Sequence, residues 1–170
     1  IWRSSNYGYT RFIDLHLSAG LMSRIIEASV SNDSLSSFDK LMRTSPMPEA
    51  NFLNHHAGTL ALRENKLELA LGYFAQTGDF AKSHKHFSRR VSPINDIFPA
   101  VQHEKMFTSK ADVVRELMTL EARAKQRGKD GVLANIALAK AWFNMSLQGS
   151  CWWMLKYSKY YHESQFPGEL

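Results

Sequence analysis

Small residues between Phe52 and Asp79 constrain the fold of this chain more than any other feature. Two helices approach closely only where neither backbone carries a bulky side chain, and a glycine inside a helix costs roughly 1 kcal/mol relative to alanine. Gly58 therefore needs a close contact that offsets this cost. Large apolar residues lie one turn away on the same faces, which predicts two short antiparallel helices. The small residues are Ala57, Gly58, Ala61 and Ala70, and the large ones are Leu53, Leu62, Leu71 and Phe74.

This spacing resembles the tetratricopeptide repeat, a helical hairpin of about 34 residues with small and aromatic residues at fixed places. The match has departures. Ala61 replaces the usual aromatic residue, Thr77 replaces the second small residue, and no proline closes the unit. An ordinary hairpin in an unrelated all-helical domain is therefore the alternative interpretation.

A second copy of the pattern lies near the end of the chain. Aligned with Gly58, Ala61, Ala70 and Phe74 in the first copy are Ala139, Trp142, Cys151 and Leu155. Self-similarity of this kind is typical of repeat folds. The sequence thus predicts an all-α fold in which antiparallel helical hairpins stack as a fragment of a tetratricopeptide-like α-solenoid.

The chain has 170 residues, 44% of them hydrophobic, which suffices for one core. We expect a single helical-repeat domain over residues 1–170, part of a longer chain because the sequence begins with Ile1 rather than Met. A capping-box pattern starts at Ser109. The predicted elements are hairpins at about 11–43 (first helix Arg11 to Val30), 49–78 and 132–162, a long loop at about 89–108 and a helix at about 109–127.

The sequence of the second copy resembles the last hairpin of uncharacterised tetratricopeptide-like envelope proteins of Bacteroidetes; it reads ALAKAWFNMSLQGSCWWMLKYS. Two aromatic residues, Asn-Met and a Gly-x-x-Trp turn recur there, and Ala139 stands in place of their glycine. The resemblance covers roughly Phe52 to Tyr160. It implies a secreted or lipid-anchored protein of the bacterial cell envelope, in the periplasm or at the outer membrane, with no known chemistry; the cytoplasm is the alternative location.

One stretch resembles a catalytic motif. Gly149-Ser150-Cys151-Trp152 is similar to the sequence around the nucleophile of papain-like cysteine proteases. Those enzymes take a His and an Asn from far downstream, but only residues 152–170 follow here, and Gln148 occupies part of the motif. The repeat pattern already explains Cys151 as a small residue between packed helices. We therefore predict no catalytic residue.

Metal and cofactor sites are not indicated. His55 and His56 are adjacent, so on a helix they point about 100° apart and do not chelate one ion together. His84 and His86 diverge similarly. Neither a zinc-protease motif nor a cysteine pair occurs, and Gly128 to Gly131 is better interpreted as a turn than as a phosphate loop. We predict no metal, no cofactor and no small-molecule substrate.

The formal charge of +5 and pI near 9.4 are compatible with an acidic partner or simply with a solvated surface. The basic cluster Lys82 to Arg90 is the best candidate for nucleic-acid contact, but it is short and no second basic stripe accompanies it. The longest apolar stretch, Val132 to Leu147, is interrupted by polar residues and falls short of the roughly 20 residues of a membrane span.

The function expected from the resemblance is a non-enzymatic scaffold that binds a protein or peptide. Its alternative is the helical platform of an envelope enzyme or glycan-binding protein. Repeats of this type bind ligands on the concave face, at positions that fall here on Phe52, His55, Thr59, Leu62 and Arg63 in the first copy, and on Leu133, Ile136, Lys140, Phe143 and Asn144 in the second.

These positions suit an extended acidic peptide. Arg63, Lys140 and Asn144 carry groups that hold carboxylates or carbonyls, whereas Phe52 and Phe143 offer apolar anchors. The alternative is that the apolar members are core and that the chain itself, from Arg89 to Thr108, fills the groove.

Overall fold

The computed structural model describes residues 10–30, 50–77, 93–94 and 107–157. Helices and turns account for these residues, with no strand among them, which confirms the predicted all-α class. The principal contacts join consecutive helices in chain order. After helical residues 10–16 come α1 (Ala19–Val30), α2 (Ala50–Arg63), α3 (Leu67–Ala75), α4 (Lys110–Ala124), α5 (Lys129–Met145) and a 3₁₀ turn (Trp152–Met154).

The predicted first helix is interrupted at Leu17 and Ser18. The Ser18 hydroxyl accepts a hydrogen bond from the Leu21 amide at 3.2 Å, so this serine caps α1 instead of continuing the preceding helix. Arg63, at the end of α2, stabilises this interruption, because its guanidinium donates to the carbonyls of Asp14 and Leu17 at 2.8 and 3.1 Å. The second arm of the hairpin predicted at 11–43 lies outside the described residues.

Helices α2 and α3 form the predicted antiparallel hairpin. An added Cβ at Gly58 would lie 2.6 Å from the Phe74 ring, closer than real Cβ atoms approach, so the predicted close crossing at Gly58 is confirmed. Asn65 turns the chain between the helices in the left-handed region, at φ 56°.

Helix α4 begins as its capping signal predicts. The Ser109 hydroxyl accepts from the Asp112 amide at 3.2 Å, and the Asp112 carboxylate accepts from the Thr108 amide at 3.2 Å. Hydrogen bonds to Thr108 and Ser109, aided by Arg115, hold the pKa of Asp112 below its usual value although burial opposes this. The cap therefore fixes the position of Lys110, the first residue of α4.

The structure differs from the hairpin predicted at 132–162. Residues 146–157 form turns and the 3₁₀ turn but no α-helix, and α5 pairs with the preceding helix α4. The Cys151 amide donates to the Asn144 carbonyl at 2.8 Å, which folds the chain back on the end of α5. This local turn, rather than a second helical arm, follows the glycine at 149.

The alignment also predicts that Ala139, like Gly58, lies at a close helix crossing, and this prediction is wrong. Ala139 is exposed, whereas Ala134, Ala141 and Met145 on the other side of α5 are buried. Small residues thus do allow a close approach of α5, but on the face opposite to the one that the repeat alignment predicts.

The core lies between the helices around α2, α4 and the 3₁₀ turn. Its fully buried large apolar side chains are Met22, Leu60, Leu62, Val113, Val114, Leu117, Met145 and Met154. Among the described residues no helix combines the length and apolar character that a membrane span requires. The predicted loop at 89–108 falls mostly outside the described residues, and the basic cluster Lys82 to Arg90 falls wholly outside them.

Candidate functional site

Helix α2 is buried around its whole circumference from Leu53 to Leu62. A helix surrounded by protein in this way must satisfy its polar side chains internally, because leaving a buried polar group without a partner costs about 1–3 kcal/mol. His55, His56 and Thr59 are each at most 1% exposed. They meet residues from three other parts of the chain.

Tyr157 contacts all three of these side chains. Its phenol oxygen bonds to Nδ1 of His55 and lies 3.0 Å from the Thr59 hydroxyl. Its ring stacks on the His56 imidazole, with centroids 3.7 Å apart and planes 13° from parallel. Its backbone amide donates to Oδ2 of Asp14 at 2.9 Å. Burial raises the pKa of Tyr157 well above its ordinary value, so the phenol keeps its proton.

Lys110 completes the cluster from the start of α4. Its ammonium nitrogen donates to the Thr59 hydroxyl at 2.9 Å and to the Met154 carbonyl at 3.1 Å, and it lies 4.9 Å from the centre of the Tyr157 ring. Burial lowers the pKa of Lys110 to about 7, although the negative charge of Asp14 acts in the opposite direction. Charged and neutral forms of this lysine are therefore both populated near neutral pH.

We call this group the Tyr157 cluster; it comprises Asp14, His55, His56, Thr59, Lys110 and Tyr157. Hydrogen bonds within it join Tyr157 to His55, Thr59 and Asp14, and Lys110 to Thr59. Its immediate effect is to join four segments of the chain, namely residues 10–16, α2, the start of α4 and the segment after the 3₁₀ turn.

The sequence predicts that His55 and His56 do not bind one metal ion together, and it places His55 on a ligand-binding face; it does not predict the cluster. His55, Thr59 and His56 fall within roughly 100° of one another around a helix, but this pattern does not distinguish a buried polar side from a solvent-exposed one. Nothing in the local pattern could identify Tyr157 as their partner, since it lies 102 residues from His55.

A second feature is the outward side of α5. Val132, Leu133, Ile136 and Phe143 are 59, 49, 46 and 55% exposed, although all four are large and apolar. At about 100° per residue, Val132, Ile136 and Phe143 fall within roughly 40° of one another around the helix, with Leu133 and Lys140 at one edge. We call Val132, Leu133, Ile136, Lys140 and Phe143 the α5 face.

The predicted binding residues of the first copy lie mainly in the interior. His55 and Thr59 belong to the Tyr157 cluster, and Arg63 bonds to backbone carbonyls just before the start of α1. Phe52 is partly buried, with its ring 4.0 Å from that of His56. These side chains therefore stabilise the fold and do not form an open groove in the described residues.

The predicted residues of the second copy divide into two groups. The exposed members, which belong to the α5 face, are Leu133, Ile136, Lys140 and Phe143. Asn144 points the other way, is 2% exposed and donates to the Pro93 carbonyl at 2.7 Å. It is therefore not a surface contact, and the predicted set does not form one continuous concave site.

Cys151 is fully buried, as predicted. Burial raises the pKa of its thiol to about 11, against a weaker opposite effect of the Ser150 hydroxyl. The reactive thiolate is therefore scarce at neutral pH. Within the described part of the chain no group of three or more His, Cys, Asp or Glu residues is arranged to hold a metal ion.

Comparison with known proteins adds no assignment: no family model matches the chain, and neither the curated proteins nor the solved structures give a match.

Proposed function

We propose that the chain is a non-enzymatic protein-interaction domain that binds an acidic amphipathic segment of a partner protein along the α5 face. The observation that supports this proposal is the exposure of four large apolar side chains on one side of one helix. Fully burying a side chain of this kind stabilises a complex by about 1.5–3 kcal/mol, and contiguous exposed apolar residues are typical of interaction sites.

The charges along α5 favour an acidic partner. Lys129 and Lys140 fall on the same side of the helix as Leu133, and both are exposed. Asp130 is the one acidic residue of α5, and it falls roughly 160° around the helix from Val132. A partner with carboxylates beside its apolar stripe would meet lysines along this edge, and the net charge of +5 acts in the same direction.

The order of helix packing favours a helical partner on the α5 face. Each described helix packs mainly on the next; α5 contacts α4, and its alanine side is buried. In a helical array the opposite side of such a helix receives a further helix. An amphipathic helix supplied by a partner would occupy that place in the same way as the peptides that bind helical grooves elsewhere.

The proposal is tested with a fluorescent synthetic helical peptide of leucine and glutamate, and with a matched peptide that carries lysine in place of glutamate. Fluorescence anisotropy should show binding of the acidic peptide, and Phe143→Ser should weaken it by about tenfold or more, as expected for an apolar anchor. Leu69→Ser on α3 is the matched control, because Leu69 is also exposed, at 42%.

Three results would contradict the proposal. The first is equal binding of the acidic and basic peptides, and the second is equal loss of binding in both variants. The third is a loss of folding stability in Phe143→Ser that Leu69→Ser does not share, which would mean that the chain itself covers the α5 face.

A further inference from the structure

The turn between α4 and α5 carries a run of positive charge at one end of the α5 face. We call residues 123–129 the basic turn; its cations are Arg123, Lys125, Arg127 and Lys129, and it contains no acidic residue. All four side chains are exposed. The ion pairs among the described residues involve none of these cations. Their charges are therefore open to a ligand.

The backbone of the basic turn is held in one shape. The Asn135 side-chain nitrogen donates to the Ala124 carbonyl at 3.2 Å and to the Gly131 carbonyl at 2.9 Å, which joins the end of α4 to the first turn of α5. Gly128 turns the chain at φ 91°. An added Cβ at Gly131 would overlap the Gln126 carbonyl, so the turn packs directly on α5. A fixed backbone lowers the entropy that a ligand loses on binding.

Local helix stability explains only part of this charge. Cations near the C-terminus of a helix interact favourably with its dipole, which accounts for Arg123 and Lys125 at the end of α4. Lys129 is the first residue of α5, where the dipole opposes a positive charge, and Arg127 lies just before it. Asp130 offsets one of these charges. An acidic ligand would offset the others.

We propose that the basic turn fixes the direction of the bound segment: the partner helix runs antiparallel to α5, and a short acidic tail after that helix contacts the basic turn. The inference rests on the proposed function, since it concerns the helix placed on the α5 face. Lys129 lies about one turn of α5 from Val132 and Leu133, so the basic turn continues this face at its N-terminal end.

Two physical arguments give the direction. Helices α4 and α5 are joined by residues 125–128 alone, and helices joined by so short a loop lie antiparallel. A partner helix in the next place of the array continues this alternation and ends beside the basic turn. Its C-terminus carries a partial negative charge that the cations attract, whereas the opposite direction would bring two positive helix ends together.

Isothermal titration calorimetry of the whole chain with three unlabelled peptides tests the direction. Each contains the same leucine–glutamate helix; one has no tail, one carries four glutamates after the helix, and one carries them before it, each tail behind a glycine–serine spacer. At about 0.1 M salt the tail after the helix should tighten binding by about tenfold, and the tail before it by less than about twofold. Most of the gain should vanish at about 0.5 M salt, because exposed charges are screened.

Two charge reversals separate a local contact from the effect of net charge. Arg127→Glu changes the basic turn, whereas Arg24→Glu changes an exposed cation of α1 and lowers the net charge equally. Arg127→Glu should weaken binding of the peptide with the tail after the helix by about fivefold or more, and that of the peptide without a tail by less than about twofold. Arg24→Glu should leave the gain from the tail intact.

The possible failures are distinguishable. Equal gains from the two tails, or equal losses in the two variants, would overturn the proposed direction. No gain from either tail would overturn the contact with the basic turn but leave the α5 face as a binding surface. If the proposed function itself is wrong, the peptide without a tail does not bind, or it binds Phe143→Ser as tightly as the wild type, and the inference falls with it.

Discussion

At the scale of single residues, Gly58 shows how a missing side chain determines the packing of two helices. The Phe74 ring fills the space that a Cβ would take and is itself only 3% exposed, so it has little room to move. Gly72, on α3, has no atom within 4 Å of its own Cβ position. The two glycines therefore form a natural pair for comparison.

Gly58→Ala should destabilise the protein by about 1–3 kcal/mol, because overpacking outweighs the gain in helix propensity. Gly72→Ala should instead stabilise it by up to about 1 kcal/mol. Urea unfolding followed by circular dichroism measures both. Equal effects of the two substitutions would contradict the close crossing of α2 and α3.

The thiol of Cys151 should be slow to react in the native protein. Its pKa is raised to about 11 by burial, so thiolate is scarce at neutral pH and the sulfur is also inaccessible. Iodoacetamide should label the folded chain far more slowly than the chain unfolded in urea. Comparable labelling rates in the two states would show that the turn after α5 is open in solution.

Lys110 should make the free energy of unfolding depend on pH. Its pKa is about 7 in the folded chain and near 10.5 in the unfolded chain, so between these values the unfolded chain binds the extra proton. Stability should therefore rise with pH by roughly 1 kcal/mol per unit from pH 7 to pH 9. Lys110→Met should remove this slope, whereas Lys125→Met should keep it. A wild-type slope of zero over this range would contradict the burial of the amine.

At the scale of the helices, the features that the sequence predicts are those set by neighbouring residues. The Ser109 cap and the α2–α3 hairpin each depend on a few residues close in sequence, and both were predicted. The interruption at Ser18 was missed because apolar spacing continues across it, while the decisive contacts come from Arg63, more than forty residues away.

The cap of α4 should contribute measurably to stability. Ser109→Ala removes the acceptor for the Asp112 amide and should cost about 1 kcal/mol. Ser146→Ala offers a comparison, since its hydroxyl also bonds to a backbone group but is exposed to water. Chemical denaturation measures the free energy of unfolding of both variants. If Ser109→Ala lowers it no more than Ser146→Ala does, then the cap does not position Lys110.

At the scale of the whole molecule, spacing alone misled the comparison of the two copies. The alignment of residues 132–162 with the first hairpin rests on the spacing of small and apolar residues, but the Cys151 to Asn144 hydrogen bond turns the chain where that alignment places the second arm. The Tyr157 cluster was beyond prediction because tertiary packing alone brings Asp14, Thr59 and Tyr157 together. The envelope location suggested by the second copy, and the tetratricopeptide-like stacking, stay predictions.

The α5 face is the part of the predicted site that carries the proposed function, and it can be observed directly. Methyl NMR of the whole chain, titrated with the acidic leucine–glutamate peptide, reports on Val132, Leu133 and Ile136 at once. We expect their methyl signals to shift in a saturable way while that of Leu69 stays constant. Shifts centred on other methyl groups, or none at peptide concentrations well above those of the anisotropy titration, would contradict the assignment of the α5 face as the binding surface.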